Sequence, residues 1–176
     1  GAIIGSVVPP VTSLMREAIR KVTGQEALVV NVDMNIGLEV LMDNPSSVGT
    51  DLIVGAVAGI NRYPVPLILI DMGTATTICV VNENKQYIGG MILPGIGVSM
   101  NSLTSRTAQL PRISLDPPKC LIGKNTVECM QSGALYGNAS CIDGMVDRIQ
   151  EELGQEATIV ATGGLAKRII PLCRHH

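Results

Sequence analysis

An α/β fold is the prediction for this chain, and three observations carry it. Short apolar runs alternate with helix-length stretches through the first third of the sequence. One run, Leu67-Ile68-Leu69-Ile70, is apolar on both faces, as a strand covered on both sides of its sheet must be. Finally, the 176 residues are 46% hydrophobic and 16% charged, so the chain can bury a core and is not disordered.

The elements follow in order. Residues 2–8 read as a short strand ending at Pro9-Pro10. Thr12 or Ser13 is the expected cap of a helix through Val22, stopped by Gly24. Residues 27–31 read as a strand and 31–45 as a loop punctuated by Pro45. Ser46 or Ser47 is the expected cap of a second helix over 47–61, halted before Pro64. The Leu67 run opens the second half. Strands at 78–82 and 87–93, joined by the polar turn Asn82-Glu83-Asn84-Lys85, complete an antiparallel meander. A helix at 97–108, a Pro-rich loop (Pro111, Pro117, Pro118), a long helix at 126–153, a strand at 157–161 and a helix at 165–170 finish the chain. Three strands, helix, strand, helix is the layout of a ribonuclease-H-like lobe. A boundary near residues 62–65 is expected, giving domains 1–63 and 64–176.

Composition excludes several functions. Net charge is −2 with no basic stripe, and Phe and Trp are absent, so neither a nucleic-acid backbone nor stacked bases are expected partners. No apolar run reaches membrane-spanning length and no signal peptide is visible. Five cysteines without a Cys-x-x-Cys read as reduced thiols of a cytoplasmic protein. Gly1 inside a strand pattern and the ending at His176 give the expectation of a chain cut at both ends.

The chemistry concentrates at Asp71-Met72-Gly73-Thr74-Ala75-Thr76-Thr77. Gly73 can adopt positive φ, and the threonine hydroxyls and turn N–H groups suit phosphate oxygens. Asp71 would repel a phosphate unless a cation lies between them, so the pattern reads as a metal-assisted phosphate site. A plain hairpin with a glycine turn is the competing reading. Asp51, at the start of the second helix with Gly55 and Ala58 on its face, is a candidate general base. On position alone, a carboxylate complementing a helix dipole is the favoured reading. The only histidines are His175 and His176, so acid–base work would fall to carboxylates or lysines. Gly95-Ile96-Gly97 lacks the third glycine of a dinucleotide loop, Met100 standing there. Gly123-Lys124-Asn125 lacks the Ser/Thr of a Walker A loop. Thr162-Gly163-Gly164 is a strand-to-helix turn whose N–H groups can meet a nucleotide. Small residues Ser132, Gly133, Gly137 and Ala139 on the long helix allow close helix packing.

In this order the motifs resemble type III pantothenate kinases, of the acetate and sugar kinase/actin-like ATPase superfamily. The carriers are Gly5-Ser6-Val7-Val8-Pro9, Gly49-Thr50-Asp51, the Asp71–Thr77 run, Gly89-Gly90 through Pro94-Gly95, Arg106 to Pro111, Gly123 to Thr126 and Thr162-Gly163-Gly164-Leu165-Ala166. The resemblance implies ATP-dependent phosphorylation of pantothenate, the first step of coenzyme A synthesis. It also implies Mg²⁺, a monovalent cation (K⁺ or NH₄⁺) and a homodimer. By the same resemblance Asp51 is the general base and Asp71 holds the monovalent cation. Gly73, Thr74, Ala75, Thr76, Thr77, Gly163 and Gly164 bind nucleotide. Gly49, Thr50, Gly89, Gly90 and Gly95 line the acceptor cleft, and Thr126 reaches the partner protomer's substrate.

Two departures stand out. Leu52 occupies the place of an arginine that holds the pantothenate carboxylate. The family's first Asp-x-Gly-Asn-Thr hairpin is missing, a segment of on the order of 30 residues. Weak or absent turnover by this stretch alone is therefore expected. A paralogous kinase for another small hydroxy acid and a non-catalytic actin-like binding protein are the alternatives.

Overall fold

The computed structural model describes residues 1–31, 34 and 36–175. Strands β1 (Ile3–Ile4) and β2 (Leu28–Val29) pair in parallel, Ile3 opposite Leu28 and Ile4 opposite Val29. A five-stranded sheet has the order β3 (Glu39–Val40), β6 (Gln86–Pro94), β5 (Ala75–Val81), β4 (Leu67–Met72), β7 (Thr158–Thr162). The helices are α1 (Pro9–Thr23), α2 (Thr50–Ile60), α3 (Ile96–Ser105), α4 (Thr126–Leu153) and α5 (Ala166–Ile169). The expected mixed α/β class holds, and the meander β4–β5–β6 is present with tight connections.

By packing, the chain divides into two units. The first comprises residues 1–67 and 79–89, the second 68–78 and 90–176, so β5 and β6 run through both.

In the first unit α1 begins earlier than expected. Pro9 enters at the first turn, where a missing N–H costs nothing, and Gly24 closes the helix in the left-handed region at φ 69°. Thr12 and Ser13 are not its caps. Their hydroxyls donate back to the Val8 and Pro9 carbonyls, four residues earlier. Nor do Ser46 and Ser47 cap α2. They donate to Asn44 within a 3-10 turn over Pro45–Ser47, and α2 starts only after Gly49. The stretch read as loop contains β3, whose partner is β6: Glu39 lies opposite Gln86, and Gln86 Nε2 donates to Glu39 Oε2 at 2.6 Å. A two-residue strand held by a partner 47 residues away leaves no local periodicity to read. Val32, Asp33 and Asn35 of that stretch lie outside the described residues.

The second unit holds most of the core. Ile68, Ile70, Ile78, Leu135, Val146 and Ile169 are almost completely buried, each side chain contributing roughly 1.5–3 kcal/mol. α4 starts at Asn125, whose Oδ1 accepts the Glu128 N–H at 2.9 Å, while Glu128 Oε2 accepts the Lys124 N–H at 3.2 Å. It ends at Gly154 with φ 67°. The Pro-rich loop is tied down through α4 and α5. Gln131 Nε2 donates to the Ser114 carbonyl at 3.2 Å, the Ser132 hydroxyl to Leu121, and an Arg168 guanidinium N–H to the Leu115 carbonyl at 2.7 Å. These bonds explain why Gln131 and Ser132 are buried yet satisfied. Among the described residues no helix is long and apolar enough to cross a membrane.

Candidate functional site

In the second unit, β4 delivers Asp71 as its one exposed residue; the next residue, Met72, is buried again. The turn that follows is closed by the Gly73 N–H donating to the Ala75 carbonyl at 3.0 Å. Gly73 does not use positive φ, and a Cβ there would find only ordinary contacts, 3.7 Å from Ala75 O. The expectation that this glycine supplies special backbone freedom is therefore corrected: its N–H is already spent on the hairpin.

The glycines that geometry requires are two others. Gly95, buried between β6 and α3, donates its N–H to Thr74 O at 3.1 Å, and a Cβ on it would overlap the carbonyl oxygens of Thr74 and Gly73. Gly163 has φ 96°, and a Cβ there would fall 2.6 Å from Asp71 Oδ1 and 2.6 Å from the Met72 backbone. The Leu165 N–H donates to Met72 O at 3.4 Å. Two backbone segments thus crowd this turn: the Gly95 entry to α3 against the Gly73 and Thr74 carbonyls, and the Gly163-Gly164 entry to α5 against the Asp71 carboxylate and the Met72 backbone. Asp71, Gly73, Thr74, Gly163 and Gly164 are all exposed there. Close backbone approach beside exposed hydroxyls and glycines is what a polyphosphate needs.

The threonines separate by strand alternation. Thr74 is on the open turn, Ala75 and Thr77 are half-buried, and Thr76 is 5% exposed. Thr76 lines a cavity of about 250 Å³ with Ser99, Asn138 and Cys141, behind the turn. On α4, Ser132 and Ala139 are buried as close packing demands. Gly133 and Gly137 instead face open space beside α3, at cavities of about 380 and 250 Å³. Thr126 is exposed at the first position of α4. Gly123 lies against that first turn, where a Cβ would reach the Cys129 backbone nitrogen.

In the first unit, Gly49 is the N-cap of α2 and Asp51 its second residue. Asp51 is exposed, and its Oδ1 accepts its neighbour Leu52's N–H at 3.0 Å. Any Cβ on Gly49 would collide with that carboxylate and come within 3.3 Å of Val7. The Thr50 hydroxyl donates to Ser6 O at 3.0 Å, fixing the helix start to the segment after β1. Gly55 and Ala58 are exposed on the same helix face, with open space at Gly55. Gly89 has φ 137°, and a Cβ on it would lie 3.7 Å from Met42 Sδ; Gly90, which belongs to the second unit, is exposed. The Tyr87 hydroxyl donates to Cys79 Sγ at 3.3 Å. Burial, then that bond, then the nearby Cys79 and Asp51 charges push its ionisation well above the ordinary tyrosine range. Sequence reasoning passed over this buried pair, since a Tyr and a Cys eight residues apart carry no motif.

Fold and geometry define an α/β protein with a glycine-tight carboxylate turn and a separate exposed carboxylate at a helix start. The type III pantothenate kinase family model matches residues 1–148. A type III pantothenate kinase from Bacillus cytotoxicus is 49% identical over 169 residues, covering 96% of this chain. The chain spans 64% of that relative's length. The crystal structure of a conserved Baf family protein from Campylobacter jejuni superposes with a TM-score of 0.51 at 18% identity, covering 92% of this chain and 69% of that one; it speaks for the fold alone. This chain belongs to the type III pantothenate kinase family.

Proposed function

We propose that the protein carrying this chain transfers a phosphoryl group from ATP to pantothenate, the first step of coenzyme A synthesis. The observation that carries the reading is the close approach of the Gly95 and Gly163 backbones to the Asp71–Thr74 turn in a member of this family. Phosphoryl transfer asks a protein mainly for positioning and charge neutralisation. The Gly73–Thr77 turn and Gly163-Gly164 offer hydroxyls and closely approachable backbone to the nucleotide. Asp71 is the one carboxylate at this turn, and it favours a cation such as K⁺ or NH₄⁺ beside the phosphates.

Among the described residues no group of three or more His, Cys, Asp or Glu is placed to hold a metal. A divalent ion such as Mg²⁺ would arrive on the nucleotide and keep phosphate and water ligands. Bound there, the ion would neutralise the phosphate charge. Asp51 is exposed at the start of α2 and can accept the acceptor's hydroxyl proton as general base, with Gly49 and Thr50 beside it at the helix entry. Thr126 serves a partner protomer in a cytoplasmic homodimer. In this reading residues 1–63 are the end of a first ribonuclease-H-like lobe and 64–176 a second.

Leu52 favours a second reading, a kinase for another small hydroxy acid, because a neutral side chain cannot pair with a carboxylate. One experiment tests both: ATP-dependent phosphorylation by the complete protein of pantothenate and of related hydroxy acids, with and without K⁺. The expected result is K⁺-dependent turnover, best on pantothenate. In Asp51→Asn, kcat should fall by about 10²–10⁴-fold, the range of a lost general base. Wild-type-like turnover in that variant would remove Asp51 from the mechanism, and a better non-pantothenate acceptor would install the second reading.

A further inference from the structure

A cavity of about 700 Å³ in the second unit has no part in the reading above. α3 lines it with Val98, Asn101 and Ser102; the chain leaves the helix at Arg106 and returns through Leu110 to Arg112. Both arginines are exposed, and among the described residues neither guanidinium has an ion pair or a side-chain hydrogen bond.

The cavity's lining and the stretch that carries it hold charge of one sign. Residues 84–115 contain no Asp or Glu. The next carboxylate, Asp116, already accepts the Ser114 hydroxyl at 2.5 Å. A helix C-terminus attracts a cation, which accounts for Arg106 at the end of α3. It does not account for Arg112, six residues further on in irregular chain. The same helix end repels an anion, so one guanidinium would be spent offsetting it and a second is needed to hold a ligand.

We propose that this cavity binds a small phosphate-bearing dianion, a phosphate monoester. Two guanidinium forks supply paired N–H donors to the phosphate oxygens. The Ser102 hydroxyl and the Asn101 amide add neutral donors, and Val98 and Leu110 form an apolar wall for the organic part.

The test is equilibrium binding to the complete protein, read by backbone amide chemical shifts, with inorganic phosphate as probe, acetate as the monoanion and chloride as the ionic-strength control. Phosphate should saturate, shift the Ser102, Ser105, Arg106 and Arg112 amides, and bind at least about ten-fold tighter than acetate. Arg106→Gln with Arg112→Gln should abolish those shifts while any at Gly73, Thr74 and Gly163 persist. The latter belong to the proposed nucleotide site, so failure of either reading is seen separately. If the double glutamine variant does not fold, Arg106→Lys with Arg112→Lys keeps the charge and loses the fork, and phosphate should then bind several-fold more weakly. Shifts confined to Gly73–Thr77, equal binding of acetate, or phosphate binding unchanged in the variants would overturn the proposal.

Discussion

α1 and α4 obey opposite rules. α1 has the more sharply divided polar and apolar faces, yet none of its residues is buried, and Leu14 is 66% exposed. α4 has no comparably clean stripe, yet nine of its residues are buried, Leu135 to 1%. Amphipathicity states which face a helix offers; burial depends on whether another element covers that face. The two carboxylates repeat the lesson. Asp51 accepts a hydrogen bond from its own helix start, whereas the Asp71–Thr74 turn is crowded by the Gly95 and Gly163 backbones from further along the chain.

The comparison can be broken at four points. One of the two largest stability effects is expected at Gly163→Ala, where positive φ and overlap with Asp71 and Met72 act together: about 3 kcal/mol lost in urea unfolding. A loss below about 0.5 kcal/mol would mean the turn is not packed as described. Next come the helices. Leu135→Ala should cost about 2–4 kcal/mol, the range for a filled core site, and Leu14→Ala less than about 0.5 kcal/mol. A cost above about 2 kcal/mol at Leu14 would show α1's apolar face to be covered in the protein tested. Third, Asn125→Ala removes the α4 cap and should cost about 1 kcal/mol, seen as a lower thermal midpoint.

The smallest effect concerns Cys173, buried where burial first and Asp143 second push its thiol up to about 11. A raised folded value means the folded protein keeps the proton that the unfolded chain releases. This contribution is complete below the ordinary thiol value of 9.0 and is lost as pH rises towards about 11. Cys173→Ala should therefore flatten the fall of the urea midpoint across that window. An unchanged pH slope would show that the thiol does not titrate there.

Much of this molecule was legible before folding. α4 matches its expected bounds because a cap residue, a long helical stretch and a closing glycine agree along 28 residues. β4 was legible because a doubly covered strand must be apolar throughout. The Asp71–Thr77 turn was legible because strand, carboxylate, glycine and hydroxyls are adjacent in sequence. The caps of α1 and α2 were misread because Ser and Thr donate to nearby carbonyls as readily as they accept N–H groups. β3 was not readable at all.

The sequence by itself determined the α/β class, the order of the main elements, the family and the residue types at the candidate site. Only the tertiary structure decided which glycines are irreplaceable. Gly73 looked decisive and has ordinary backbone, while Gly95 and Gly163 are demanded by atoms of Asp71 to Thr74. The same step separated Thr76 from Thr74 and set Arg106 and Arg112 on one cavity without a carboxylate. The physical reason is common to all three. Propensity and periodicity are local properties of the chain, whereas close approach and charge pairing depend on segments that meet only after folding.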